Sequence, residues 1–251
     1  MSARKVAAVS VPACQVCGSA HSREYHRGER GTLFECDACG FVFLHPIPDA
    51  STQAARYERE HIGAGYLAKV PAKMRRARAR VRLMQSYCAG GRFLDVGCNG
   101  GFMVEAARAA GFAASGIDPD GVAVAWARAH YPHNTFAAAT LEQFIATAGE
   151  PFDAVYCAEV IEHVPDCNQF ALALARALKP GGTLYLTTPN IRHWRRGPLA
   201  RWDGYKPPEH CLYFSPGPLR ALLARHGLRV VRERWAWKPG IQVLAARISP
   251  S

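Results

Sequence analysis

The chain has 251 residues, of which 49% are apolar and 20% charged. That is enough for one large domain or two modest ones, and it is the wrong balance for a disordered chain. No apolar run approaches the length of a membrane helix. The apolar stretch near the start is short and interrupted by Pro12, which argues against a signal peptide. A cytoplasmic protein is expected, and its nine cysteines then read as thiols or metal ligands rather than disulfides. The formal charge of +11 favours anionic partners such as RNA, nucleotide sugars or acidic lipids, although a composition rich in Ala, Arg and Gly reaches this balance without binding any of them.

Four cysteines fall in two pairs, Cys14-Gln-Val-Cys17 and Cys36-Asp-Ala-Cys39, with eighteen residues between the pairs. This is the spacing of a four-cysteine zinc site, and Gly18 and Gly40 suit the tight turns after each pair. The segment Leu33-Phe34-Glu35 reads as a strand feeding the second pair. Four protein ligands leave no open position, so a zinc here is expected to be structural. A ribbon over 11–45 has little core of its own, so the metal should supply its folding energy. Loss of Cys36 is expected to loosen residues 1–45 and leave 90–248 folded. Cys88, Cys167 and Cys211 show no metal spacing and read as small buried residues.

Residues 46–89 read as a linker followed by a basic helix. Pro46, Pro48, Gly63 and Gly65 mark the linker. From Lys69 to Arg82 the apolar residues Met74, Ala77, Val81 and Met84, and then Cys88, recur at helical spacing, with arginines mostly on the other faces. Such a helix either binds anions or packs its apolar stripe on the next domain with a solvated basic face.

From Gly90 to Ile248 strands and helices alternate, which predicts an α/β domain with a mostly parallel sheet. Strands are expected at 92–96, 113–117, 152–157, 183–188, 228–235 and 241–248, and helices at 102–110, 121–130, 169–178 and 218–226. Ligands bind such sheets at the carboxyl ends of the strands. The glycine-rich turn Gly97-Cys98-Asn99-Gly100-Gly101 stands at the first of these ends, where backbone amides and a helix N-terminus can approach a polar ligand. Asp118 closes the next strand 21 residues after Gly97, where an acid can take the two hydroxyls of an adenosine ribose. Asn99 and Phe102 stand where a dinucleotide fingerprint wants glycine, which disfavours NAD.

Leu94-Asp95-Val96-Gly97-Cys98-Asn99-Gly100-Gly101 resembles the first motif of class I S-adenosylmethionine-dependent methyltransferases. Further resemblances follow in that family's order. Gly116-Ile117-Asp118 is similar to its ribose-binding acid, Thr140-Leu141-Glu142 to the loop against the adenine, and Phe152-Asp153-Ala154-Val155 with Glu159-Val160-Ile161-Glu162-His163-Val164-Pro165-Asp166 to the fourth strand and its exit. Leu178-Lys179-Pro180-Gly181-Gly182 resembles the turn before the fifth strand. Cys36-Asp-Ala-Cys39-Gly40 with Phe41 to Pro46 resembles the zinc ribbon of bacterial small-molecule methyltransferases, and Pro207-Pro208-Glu209-His210 with Tyr213-Phe214-Ser215 their substrate-side loop. The resemblance implies a Rossmann-like domain over 90–248 that binds S-adenosylmethionine through Asp95, Gly97, Cys98, Asn99, Gly101, Asp118, Leu141, Cys157 and Glu159. It departs from the family at Asn99, where glycine is usual, but Asn tolerates a left-handed backbone. The acid usual after the third strand is missing, since Phe136-Ala-Ala-Ala139 stands there.

Methyl transfer to a hydroxyl needs a proton acceptor, and His163 and His210 are the candidates. His163 is preferred because it follows directly on a strand that ends at the cofactor. The alternatives are that Glu162 and His163 cap the next helix, and that His210 anchors a lid with Trp202, Tyr205 and Tyr213. The expected acceptor is a small molecule, with a sugar or secondary metabolite in view. The rivals are an RNA methyltransferase that holds phosphates with the ribbon and the basic helix, and a non-catalytic scaffold.

Overall fold

The computed structural model describes residues 11–49, 70–234 and 236–248. Most of the 46–65 linker, from residue 50 on, lies outside them, as does Lys69. Three short strands open the chain: β1 (Ser22–Gly28), β2 (Gly31–Cys36) and β3 (Val42–His45). Next come α1 (Val70–Gln85), β4 (Arg92–Val96), α2 (Phe102–Ala109), β5 (Ala113–Asp118), α3 (Gly121–His130), β6 (Thr135–Ala138), α4 (Leu141–Thr147), β7 (Phe152–Ala158), α5 (Cys167–Ala177) and β8 (Leu178–Pro189). A two-residue strand β9 (Leu212–Tyr213), α6 (Pro216–Arg225), β10 (Leu228–Arg234) and β11 (Gly240–Arg247) complete it.

The large sheet has the order β10-β11-β8-β7-β4-β5-β6. The pairs among β6, β5, β4, β7 and β8 are parallel, and β11 runs antiparallel to β8 and β10. The strand order turns about β4, so the carboxyl ends of β4 and β7 flank a switch point where a ligand can sit. The central strands are apolar on both faces, as a sheet covered by helices requires: Phe93, Leu94, Val155, Leu184 and Leu186 are fully buried.

The basic helix packs as well as carrying charge. Ala77, Val81 and Met84 of α1 join Phe93, Phe102, Met103 and Ala107 in one apolar cluster, while Arg75, Arg76, Arg78 and Arg82 stay exposed. Arg80 turns inward over the stacked rings of Tyr156 and Tyr185, 5.6 and 5.7 Å from their centroids, and donates to the Tyr156 hydroxyl.

Several features depart from the sequence expectations: residues 178–182, expected as a turn, open β8, and β1, β6 and β9 are additional short strands. Thr140-Leu141-Glu142 is not a loop but the start of α4. Thr140 is its N-cap, accepting from the Gln143 amide, while the Gln143 side chain accepts from the Thr140 amide. The ribbon is also not a separate unit. β1, β2 and β3 form an antiparallel sheet whose fourth strand is β9, supplied by the long loop after β8. Cys14, Leu33, Phe41 and Val42 share one buried cluster with Ile161, Leu212, Tyr213 and Phe214.

Candidate functional site

The turn after β4 has the backbone that its residues suggest. Gly97 and Gly101 adopt φ of +76° and +75°. A Cβ at Gly97 would stand 2.6 Å from Val160 Cγ2, and one at Gly101 2.7 Å from the Phe136 ring, so strain and contact both demand glycine. Asn99 takes φ +43° and closes the turn on itself, its Oδ1 accepting from the Gly100 amide at 2.7 Å. The amides of Gly97 and Cys98 donate to the Ile117 carbonyl at 2.8 and 2.9 Å, which ties the turn to β5. Gly101 is the N-cap of α2 and makes no side-chain cap hydrogen bond, so the helix N-terminus opens at the glycine turn.

Asp118 ends β5 beside this turn. Its Oδ2 accepts from the Asn99 amide at 2.8 Å and its Oδ1 from the Asp120 amide at 2.9 Å. A carboxylate accepts hydrogen bonds only, and this one stands at the end of the strand beside the glycine turn. Asp95 is buried at the end of β4. Burial, and then the Asp118 charge, push its carboxyl well above the usual range, with Arg80 acting against them. Glu159 follows β7 with φ +57°, its Oε1 accepting from the Thr187 hydroxyl at 2.8 Å. Leu141 is buried in the first turn of α4. Cys98 and Cys157 bury their side chains away from the turn, Cys98 among Val104, Val124, Ala127 and Phe136.

A second group lies past β7. Glu162 is 1% exposed, and its Oε2 accepts from the Thr188 hydroxyl at 2.9 Å. Its Oε1 has no hydrogen-bond partner among the described residues and stands 4.0 Å from His163 Nε2. Burial, and then Glu159, raise the Glu162 carboxyl well above the usual range. His163 Nδ1 donates to the Glu209 carbonyl at 3.1 Å, and His210 Nδ1 to the Gly204 carbonyl at 2.8 Å. The two rings meet edge to face with centroids 4.6 Å apart. Burial, with His210 beside it, pushes the His163 imidazole down to about 4, and burial lowers His210 too. Both rings are therefore neutral near pH 7, with the proton on Nδ1. Asp166, and not Glu162 or His163, caps α5, accepting from the amides of Asn168 and Gln169 at 2.8 and 3.0 Å.

The loop carrying His210 is anchored from two sides. The amides of Cys211 and Leu212 donate to the Glu162 carbonyl at 2.8 and 3.1 Å, and the Leu44 amide in β3 donates to the Cys211 carbonyl at 2.8 Å. Trp202, Tyr205 and Tyr213 are buried, which makes them packing residues of this lid rather than open stacking surfaces.

The four ribbon thiols converge. Cys14 and Cys39 Sγ are 3.7 Å apart, Cys17 and Cys36 Sγ 3.5 Å, and all four lie within 4.8 Å of one another. A tetrahedral ion with Zn–S bonds of about 2.3 Å sets its sulfurs about 3.8 Å apart, so the cluster has the size zinc requires. The amides of Val16 and Cys17 point at Cys14 Sγ, and those of Ala38 and Cys39 at Cys36 Sγ.

A family model described as a methyltransferase domain matches residues 66–233. The chain belongs to this methyltransferase-domain family. Among curated relatives, the ubiquinone biosynthesis O-methyltransferase of Bartonella tribocorum is 30% identical over 153 residues, 57% of this chain and 62% of that protein. The protein of the same name from Xanthomonas oryzae is 41% identical over 106 residues, 41% of this chain and 44% of its own length. The chain thus spans about three fifths or less of these relatives. Among solved structures, the 1,6-didemethyltoxoflavin-N1-methyltransferase of Burkholderia thailandensis, with its acceptor and S-adenosylhomocysteine bound, superposes with a TM-score of 0.56 at 15% identity, covering 90% of this chain and all of that one. An S-adenosylmethionine-dependent methyltransferase from Mesorhizobium loti gives a TM-score of 0.57 at 20% identity over 67% of this chain and 96% of that one. These likenesses establish the fold.

Proposed function

We propose that the protein transfers a methyl group from S-adenosylmethionine to an oxygen of a small-molecule acceptor, and that Cys14, Cys17, Cys36 and Cys39 hold one structural zinc. The observation that carries the reading is the pairing of an uncapped α2 N-terminus with the Asp118 carboxylate across one glycine turn. The site's chemistry fits the cofactor: a helix N-terminus suits its methionine carboxylate, and a carboxylate at the end of β5 suits its ribose hydroxyls. Gly97, Asn99 and Gly101 border the methionine portion, and Asp95, pushed toward neutrality by burial, fixes the turn from below. Leu141, Cys98 and Cys157 contribute shape from the surrounding core, and Glu159 reaches the site from its left-handed turn. When bound, the cofactor supplies an electrophilic methyl on a sulfonium, so the chain's task is position and electrostatics.

His163 and His210 stand on the acceptor side, where they orient the hydroxyl and receive its proton, His163 first. Oxygen is favoured as the acceptor atom because the curated relatives carry O-methyltransferase names. The test is calorimetric binding of S-adenosylhomocysteine, followed by transfer of labelled methyl to a panel of catechols, sugars and RNA. Binding with label on a catechol or sugar supports the reading. Label on RNA alone would replace it with the nucleic-acid alternative, and no cofactor binding would remove it.

A further inference from the structure

We propose that Arg196 is the anion-recognition residue of the acceptor site, and that the acceptor carries an oxyanion, a carboxylate or a phosphoryl group, which the Arg196 guanidinium receives. The inference rests on the methyl-transfer reading above and adds to it the charge of the acceptor.

Arg196 lies on the long loop after β8, and its Nη1 is buried without a hydrogen-bond partner among the described residues. A buried donor left unpaired is costly, and a guanidinium cannot relieve that cost by losing its proton. Its neighbours on the loop have partners: Arg192 pairs with Glu35, and Arg195 lies 4.0 Å over the Trp237 ring. Asp203 and Glu209, the acids of the loop, are exposed, and among the described residues neither makes an ion pair with Arg196.

The guanidinium is held in place. Its Cζ stands 5.9 Å from the centroid of the Trp202 ring, whose face attracts a cation. Trp202 is itself buried, and its amide donates to the Leu199 carbonyl at 3.1 Å. Gly204 lies against the indole: a Cβ there would stand 2.3 Å from Trp202 Cζ2. The Gly204 carbonyl in turn receives His210 Nδ1 at 2.8 Å. One indole ring thus links Arg196 to the residue that orients His210, which sets the anion site beside the proposed acceptor centre.

The charge around it has one sign. Between Asn190 and Tyr213 five Arg and Lys residues stand against Asp203 and Glu209. Lys206 acts on the acceptor side, since its charge opposes protonation of His163, His210 and the Glu162 carboxyl. Both histidines are neutral near pH 7 and burial holds Glu162 toward its neutral form, so the cations of the loop set the field there. A planar guanidinium meets two oxygens of a carboxylate or phosphoryl group with parallel N–H donors, a match that gives geometric specificity as well as attraction.

The test uses the full chain saturated with S-adenosylhomocysteine and titrated in a calorimeter with phenyl phosphate, benzoate and the uncharged benzyl alcohol. One of the anions should bind at least about tenfold tighter than benzyl alcohol, the effect of one charge-assisted pair. Arg196→Met, which keeps an apolar stem over Trp202, should remove that preference. Arg196→Lys, which keeps the charge but not the fork, should weaken the anion about threefold to fivefold, and it decides if Arg196→Met fails to fold. Lys206→Gln should weaken the anion only about twofold, because Lys206 is exposed. S-adenosylhomocysteine affinity should be unchanged in all three variants, which shows that they fold. Tighter phenyl phosphate assigns the phosphoryl class, and tighter benzoate the carboxylate class. Equal binding of the anions and benzyl alcohol would overturn the inference, as would unchanged anion affinity in a folded Arg196 variant, or a loss in Lys206→Gln as large as in Arg196→Met. In each of those cases intact cofactor binding leaves the methyl-transfer reading standing, whereas no S-adenosylhomocysteine binding to the wild-type chain removes both.

Discussion

Cys36→Ser tests how far the ribbon reaches into the catalytic domain. Cys36 Sγ is one of four converging thiolates, 3.5 Å from Cys17 Sγ. Structural zinc contributes about 10–16 kcal/mol to ribbon-sized peptides, so one ligand in four is worth about 3 kcal/mol, or roughly a hundredfold in affinity. The consequence does not stop at residue 45. β3 pairs with β9, the Leu44 amide holds the Cys211 carbonyl at 2.8 Å, and the Phe41 and Phe214 rings pack with centroids 5.0 Å apart. Gln15 also reaches across, its amide nitrogen donating to the Pro165 carbonyl at 2.8 Å and its oxygen accepting from the Cys167 amide at 2.9 Å. Loss of zinc should therefore free residues 206–214, and with them His210, while β4, β5 and the glycine turn keep their bonds. In hydrogen exchange, peptides covering 206–214 should exchange about a hundredfold faster, those covering 92–118 should not change, and S-adenosylhomocysteine affinity should hold within about twofold. A variant that has lost zinc but keeps wild-type protection over 206–214 would refute the coupling.

Asp118→Ala should lower S-adenosylhomocysteine affinity about tenfold to a hundredfold, from charge-assisted hydrogen bonds worth about 1.5–3 kcal/mol. Asp118→Asn should do no better, because whichever oxygen becomes NH2 then faces the amide of Asn99 or Asp120 as a second donor; calorimetry on both variants checks this. Asp95→Asn removes a carboxyl whose folded-state pKa is raised, so wild-type stability falls as pH rises through the ordinary carboxylate range toward that raised value, and the variant is spared the loss. Without cofactor, the variant should melt a few degrees above wild type at pH 7.5 and close to it at pH 4. Gly101→Ala places a Cβ 2.7 Å from the Phe136 ring at positive φ, and should cost about 1–3 kcal/mol in chemical denaturation with weakened cofactor binding.

The cofactor half of the site was legible because it is local. Residues 97–101 form one turn, and the strand and helix on either side follow from a buried apolar run and a change of period. Asn99 departs from the usual glycine yet keeps the left-handed backbone, as its short amide side chain allows. The start of α4 was also present in the sequence, since Thr140 and Gln143 are spaced as a capping box, but family likeness to a loop obscured it. β1 and β9 carried weaker signals. β1 lies on a sheet edge with mostly half-exposed residues, and β9 is two residues long and exists only where β3 offers it a partner.

The proposed acceptor half is built from pieces distant in the chain, which is why its residues were recognised singly but not as a group. Glu162 and His163 leave the carboxyl end of β7, Thr188 comes from the end of β8, and His210 comes from a loop whose course is set by the ribbon. What joins them is backbone bonding: the Glu162 carbonyl receives the amides of Cys211 and Leu212, and the Glu209 carbonyl receives His163 Nδ1. The loop and the turn after β7 therefore hold each other, and neither position is specified by its own sequence. The ribbon enters the same frame by lending β3 as the edge on which β9 forms. Its four thiols converge at one end of β2, and the ribbon sheet connects them to that loop through the pairing of β3 with β9. A domain that reads as a separate metal module in the sequence is thus the buttress of the loop that carries His210.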